Sequence, residues 1–154
     1  MAFDREQFAD LVDRTLRRMG PEFAGPDAQA LVLGTAAVES DFGTYLRQVG
    51  GGPGLGPFSM EGATFRWLSQ KYMRRFCDEW TWVSLNFSAQ EWDLVAAIVF
   101  CRLRYWVDSE PIPAAADVEG LARYWKRVYN TELGAGTVGD FTGKFARYVT
   151  ARRG

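Results

Sequence analysis

The sequence predicts a mainly α protein folded as a single helical domain. Three observations carry that expectation. Apolar residues recur at helical spacing along most of the chain, capping signals stand at the starts of those runs, and glycine and proline concentrate in one segment. The 154 residues suit one domain, and 47% hydrophobic with 15% aromatic content supplies enough apolar mass for a core. No repeat, low-complexity stretch or long linker divides the chain.

The first helix is expected behind Asp4 as N-cap, with Phe8, Leu11, Val12, Leu16 and Met19 on one face and Gly20-Pro21 as its stop. Pro26 suits the first turn of a second helix, which runs through Leu31, Val32, Thr35 and Val38 to Glu39. From Gly43 to Glu61 the pattern breaks. Gly43, Gly50, Gly51, Gly52, Pro53, Gly54, Gly56 and Pro57 fall there, and predict a long loop or a short twisted hairpin.

A helix resumes near Glu61 or Gly62 with Phe65, Trp67, Leu68 and Tyr72. Ser88-Ala-Gln-Glu91 reads as a capping box, with Phe87 and Trp92 as its hydrophobic staple. The run behind it, Leu94, Val95, Ile98, Val99 and Leu103, is apolar enough for a buried central helix ended by Pro111 and Pro113. Asp117 caps a helix bearing Leu121, Tyr124, Trp125 and Val128. Thr137 with Asp140 opens a last one ending near Arg152. Trp92, Trp106 and Trp125 recur on apolar faces and are expected in the core.

Composition narrows the chemistry. A net charge of −1 lacks the electrostatic footprint of a nucleic-acid binder, and the short basic clusters at Arg17-Arg18, Arg74-Arg75 and Arg152-Arg153 read as solvated helix faces. No apolar run is long enough to span a membrane, so no membrane insertion is expected. The charged N-terminus does not read as a secretory signal, so synthesis in a cytoplasm is expected. Cys77 and Cys101 have no ligand spacing and are expected as buried free thiols. There is no histidine. That removes Ser-His-Asp and Cys-His catalysis and His-built zinc sites. No metal or cofactor is expected. Carboxylates remain, and a glycosidase needs nothing else.

Glu39 is the carboxylate that stands out. It ends an apolar helix directly before the glycine-rich segment, where desolvation would raise its pKa and keep it protonated as a general acid. Its surroundings, Ala37-Val38-Glu39-Ser40-Asp41-Phe42-Gly43 followed by Pro53-Gly-Leu-Gly-Pro-Phe-Ser-Met-Glu-Gly-Ala-Thr64, resemble the soluble lytic transglycosylase and goose-type lysozyme group of the lysozyme-like superfamily. That group carries a helix-ending Glu-Ser, a variable loop, and a Gly-Leu-(any)-Gln-(apolar) stretch leading to a Thr. Glu39-Ser40 matches the first motif; Gly54-Leu55-Gly56, Phe58, Met60 and Thr64 fit the second. The likeness covers residues 30–68.

The resemblance implies a lysozyme-like domain that cleaves peptidoglycan glycan strands, as a muramidase or a lytic transglycosylase, with Glu39 as acid/base. It implies that Ser40 fixes the helix end and that Gly54, Leu55, Gly56, Phe58 and Ser59 line the sugar cleft. Tyr129-Asn130 before Gly134-Ala135-Gly136 echoes a later segment whose Tyr leans on the catalytic carboxylate. Two positions depart from the pattern: Ser59 stands for the usual Gln, and Pro57 for an apolar residue.

A hydrolase would need a second carboxylate, for which Asp41 and Glu61 are the candidates; a transglycosylase needs neither. Phe42, Tyr45, Phe58, Trp67 and Tyr72 lie in or near the expected cleft, where sugar stacking competes with core filling. A phage source is expected, as a lysis enzyme or a wall-piercing virion component. The competing expectation is a non-catalytic tail or baseplate subunit that keeps the fold and binds other virion proteins.

Overall fold

The computed structural model describes residues 1–151. Seven α-helices carry the described chain: α1 (Arg5–Met19), α2 (Pro26–Ser40), α3 (Gly62–Lys71), α4 (Met73–Asp78), α5 (Leu94–Trp106), α6 (Val118–Trp125) and α7 (Val138–Phe145). Wide i→i+5 turns extend α6 over Lys126–Asn130 and α7 over Ala146–Thr150. The fold is mainly α. Arg152, the expected end of the last helix, lies outside the described residues.

The caps follow from side-chain chemistry. Asp4 accepts the Gln7 N–H at the start of α1, and Asp117 accepts the Gly120 N–H at the start of α6. Thr137 and Asp140 form a reciprocal capping box on α7. Pro26 occupies the first turn of α2, where its missing N–H is not needed. The box expected at Ser88–Glu91 does not form. Asn86 caps a 3₁₀ turn over Phe87–Glu91, and Asp93 caps α5 by accepting the Ala96 N–H at 3.1 Å. Asp93 is the stronger start because it sits directly before the apolar run. Trp92 therefore stays outside the helix, 69% exposed, and Trp106 is also exposed; both were expected in the core.

α2 and α5 are apolar nearly all round and run through the middle of the core. α7 packs on α2, α1 packs on α5, and α6 packs on α7. Gly34 makes the α2–α7 approach possible, since a Cβ there would sit 2.4 Å from the Phe141 ring. Burying Phe141, Phe23 and Phe100 contributes about 1.5–3 kcal/mol each. One polar pair is accommodated inside: the Thr35 hydroxyl bonds the Leu31 carbonyl and the Tyr105 hydroxyl, each at 2.7 Å. Cys101 is a buried free thiol; Cys77, expected buried, is a free thiol on the exposed side of α4.

The glycine-rich segment makes a minimal ladder rather than a strand pair. Leu55 bridges Arg47 on one side and Met60 on the other. Leu55 and Met60 exchange both backbone hydrogen bonds, at 2.9 and 3.0 Å, and the Gly56 N–H reaches the Leu46 carbonyl at 2.8 Å. No helix among the described residues is long and apolar enough to cross a membrane.

Candidate active site

α2 ends abruptly. Ser40 turns its hydroxyl back to the Ala36 carbonyl at 3.0 Å and accepts the Gly43 N–H at 2.8 Å. The next three residues, Asp41, Phe42 and Gly43, have φ of 49°, 56° and 80°. A left-handed run stops a helix at once, and in a residue as bulky as Phe42 it is strained. Phe42 is held there by burial against Phe8 and Tyr148. Glu39 is thus the last side chain but one of a rigid helix.

Glu39 opens onto a cleft of about 650 Å³. Its walls come from α2 (Val38), the returning loop (Ser59–Glu61), α5 (Arg104), α6 with its extension (Trp125, Tyr129), and α7 (Lys144). The loops carrying Gln48-Val49 and Thr131–Gly136 form the lips. Trp125 packs its ring into the core against Phe141 and donates its indole N–H to Glu39 Oε1 at 3.0 Å. The Ser59 hydroxyl donates to the Glu39 carbonyl at 3.3 Å, which ties the returning loop to the helix end.

Burial raises the Glu39 pKa from 4.5 to about 7. The Trp125 N–H works against this by favouring the carboxylate, and the negative charge of Glu61 adds to it. The result is an acid close to half-protonated at neutral pH, facing a space large enough for sugar rings. Such a group can protonate a leaving oxygen and then take a proton back.

The other sequence-predicted residues divide. Ser59 and Tyr129 line the cleft with Glu39. The Tyr129 hydroxyl donates to the Phe58 carbonyl at 2.6 Å; the hydrogen bond to the Glu39 carboxylate comes from Trp125. Ser40 is buried and spends its hydroxyl on the helix end. Phe58 is 1% exposed and belongs to the core beside Phe8. Gly54, Leu55 and Gly56 form the ladder behind the cleft wall. A Cβ on Gly56 (φ 79°) would fall 1.8 Å from the Gln90 carbonyl oxygen, so this glycine serves the turn.

Of the two candidate second carboxylates, Asp41 is held by the Lys144 ammonium. Glu61 is exposed on the cleft wall, at the start of α3. The aromatics Phe42, Tyr45, Trp67 and Tyr72 do not line the cleft.

Trp125 is the residue that sequence reasoning placed only in the core. It lies 86 positions from Glu39, and its ring does fill the core; only its one polar atom serves the site. The rule that a buried indole N–H needs a partner was the available signal. Among the described residues no group of three or more His, Cys, Asp or Glu side chains is arranged to hold a metal ion.

No family model matches the chain, and neither a curated protein nor a solved structure matches it. The site therefore speaks through its own geometry.

Proposed function

We propose that this chain is a lysozyme-like enzyme that cuts the glycan strands of bacterial peptidoglycan, with Glu39 as its acid/base. The observation that carries the reading is the Glu39 carboxyl itself: at a helix end, pushed up to about 7 by burial, and open to a cleft of about 650 Å³. In the reaction Glu39 gives its proton to the glycosidic oxygen as the C1–O bond breaks. Positive charge then develops on the sugar ring, and the carboxylate left behind helps to stabilise it. The Trp125 N–H steadies that carboxylate until it takes a proton from the incoming nucleophile.

If that nucleophile is the sugar's own 6-hydroxyl, the product is an anhydro end and one carboxylate suffices. Placement of Glu61 on the same cleft favours a second reading, in which Glu61 activates water and the product is a reducing end. The two products differ by one water, so a mass spectrum of the digest separates them. Such an activity suits a phage lysis protein or a wall-piercing virion component.

Purified sacculi test the reading. Glu39→Gln is expected to keep the fold and lose about 10²–10⁴-fold in rate. Wild-type protein that leaves sacculi uncut, or a Glu39→Gln variant that cuts at the wild-type rate, refutes it. Protein that binds sacculi without cutting them would be a wall-binding subunit.

A further inference from the structure

We propose that Arg104 binds a carboxylate carried by the muramyl residue of the substrate, so that the cleft selects carboxylate-bearing peptidoglycan over neutral chitin-type strands. This rests on the glycan-cleaving reading above.

Arg104 stands in the last turn of α5, is partly buried, and lines the same cleft as Glu39. Among the described residues it makes no hydrogen bond and no ion pair. Its neighbours in the sequence and in space behave differently. Arg102 is buried, donates Nε to the Phe23 carbonyl at 2.9 Å, and packs over the Phe23 and Trp106 rings. Arg127 is shared between Asp108 and Glu110, and Arg123 pairs with Glu119. Lys144, the other cation on the cleft wall, is already paired with Asp41. Among the described residues, Arg104 alone brings five uncommitted N–H donors to the cleft wall, in the fork geometry that matches a carboxylate.

The acids on the cleft wall do not answer it. Asp140 accepts the Thr137 N–H at 2.8 Å, Glu39 accepts the Trp125 N–H, and among the described residues Glu61 makes no ion pair with Arg104. Arg104, Tyr129 and Glu39 line the same cleft, which sets the cation on the wall that faces the reacting region. A favourable interaction with the α5 C-terminus would also suit a cation in this position. That role predicts an effect on unfolding and none on substrate choice.

Two chemical sources supply the carboxylate. Intact strands present those of the peptide stem, while strands stripped by an amidase present the free lactyl group. Arg104→Gln is therefore assayed on peptide-bearing strands, amidase-stripped strands and a chitooligosaccharide, with thermal unfolding alongside. We expect kcat/KM to fall roughly tenfold or more on one or both carboxylate-bearing substrates, and to hold on the chitooligosaccharide. Arg104→Lys should recover part of the loss. Loss on intact strands alone identifies the peptide stem; loss on stripped strands alone identifies the lactyl group.

Equal loss on all three substrates, or no loss, overturns the proposal while leaving the glycan reading intact. Calorimetric binding of the same substrates to Glu39→Gln, with and without Arg104→Gln, gives a readout independent of turnover. A chain that binds without cutting still shows the carboxylate preference there if Arg104 carries it. A chain that neither binds nor cuts any of the three overturns both readings.

Discussion

Replacing the proposed acid should make the protein more stable, and only at the pH where the acid is expected to work. The Glu39 pKa rises from 4.5 to about 7 on folding. A raised carboxyl pKa means that the native state holds its proton more tightly than the unfolded chain. The contribution to stability is fully present below about pH 4.5, is lost as pH rises toward 7, and stays lost above. At 1.36 kcal/mol per unit, the loss is roughly 3 kcal/mol. Glutamine has the same shape, accepts the Trp125 N–H through its own Oε1, and does not titrate.

Glu39→Gln should therefore match wild type near pH 4 and exceed it by roughly 3 kcal/mol at pH 8. For a chain of this length that is a difference of about 6–12 °C in Tm. Thermal unfolding followed by far-UV circular dichroism at pH 4, 6 and 8 reads it directly. A Tm difference that does not change with pH would refute the burial argument, and a wild type more stable than the variant at pH 8 would reverse it.

Two other outcomes follow from the same geometry. Glu61→Gln removes a negative charge that raises the Glu39 pKa, so the alkaline limb of the rate–pH profile should move to lower pH; an unmoved limb would show that the two carboxylates do not interact. Gly56→Val places side-chain atoms against the Gln90 backbone, so it should lower the melting temperature sharply or prevent folding; normal stability would show that the turn can open at no cost.

The helices were legible where a single residue type does a local job. Asp4, Pro26, Asp117 and the Thr137–Asp140 pair each act within one turn of their own position, and each starts the helix it was expected to start. Ser88 failed because two starting signals compete within six residues, and spacing alone does not rank Asp93 above it. Glu39 stood out because a carboxyl ends an apolar helix directly before the glycine-rich segment, in a Glu-Ser pair followed by Gly54-Leu55-Gly56.

The partners of Glu39 were not legible to the same degree. Trp125 and Arg104 reach the cleft from α6 and α5, and their spacing within those helices says only that one face is apolar. Phe58 and Gly56 lie in the motif yet face the core and the Gln90 backbone. A motif names residues that travel together and does not say which side of the wall each one faces.

The left-handed stop after Ser40 has a consequence for how this site can change. The direction of Glu39 is settled within the chain itself, by three residues that forbid another helical turn, and is reinforced by the ties from Ser59 and Trp125. The stretch from Gln48 to Pro53 takes no part in those ties. One lip of the cleft is thus tied to Gly54, by two hydrogen bonds of Gln48, and not directly to the helix end that aims Glu39. Lengthening or exchanging its tip at Gly50–Gly52 would reshape the mouth of the cleft while the Glu39 carboxyl keeps its direction, a fixed group behind a replaceable doorway.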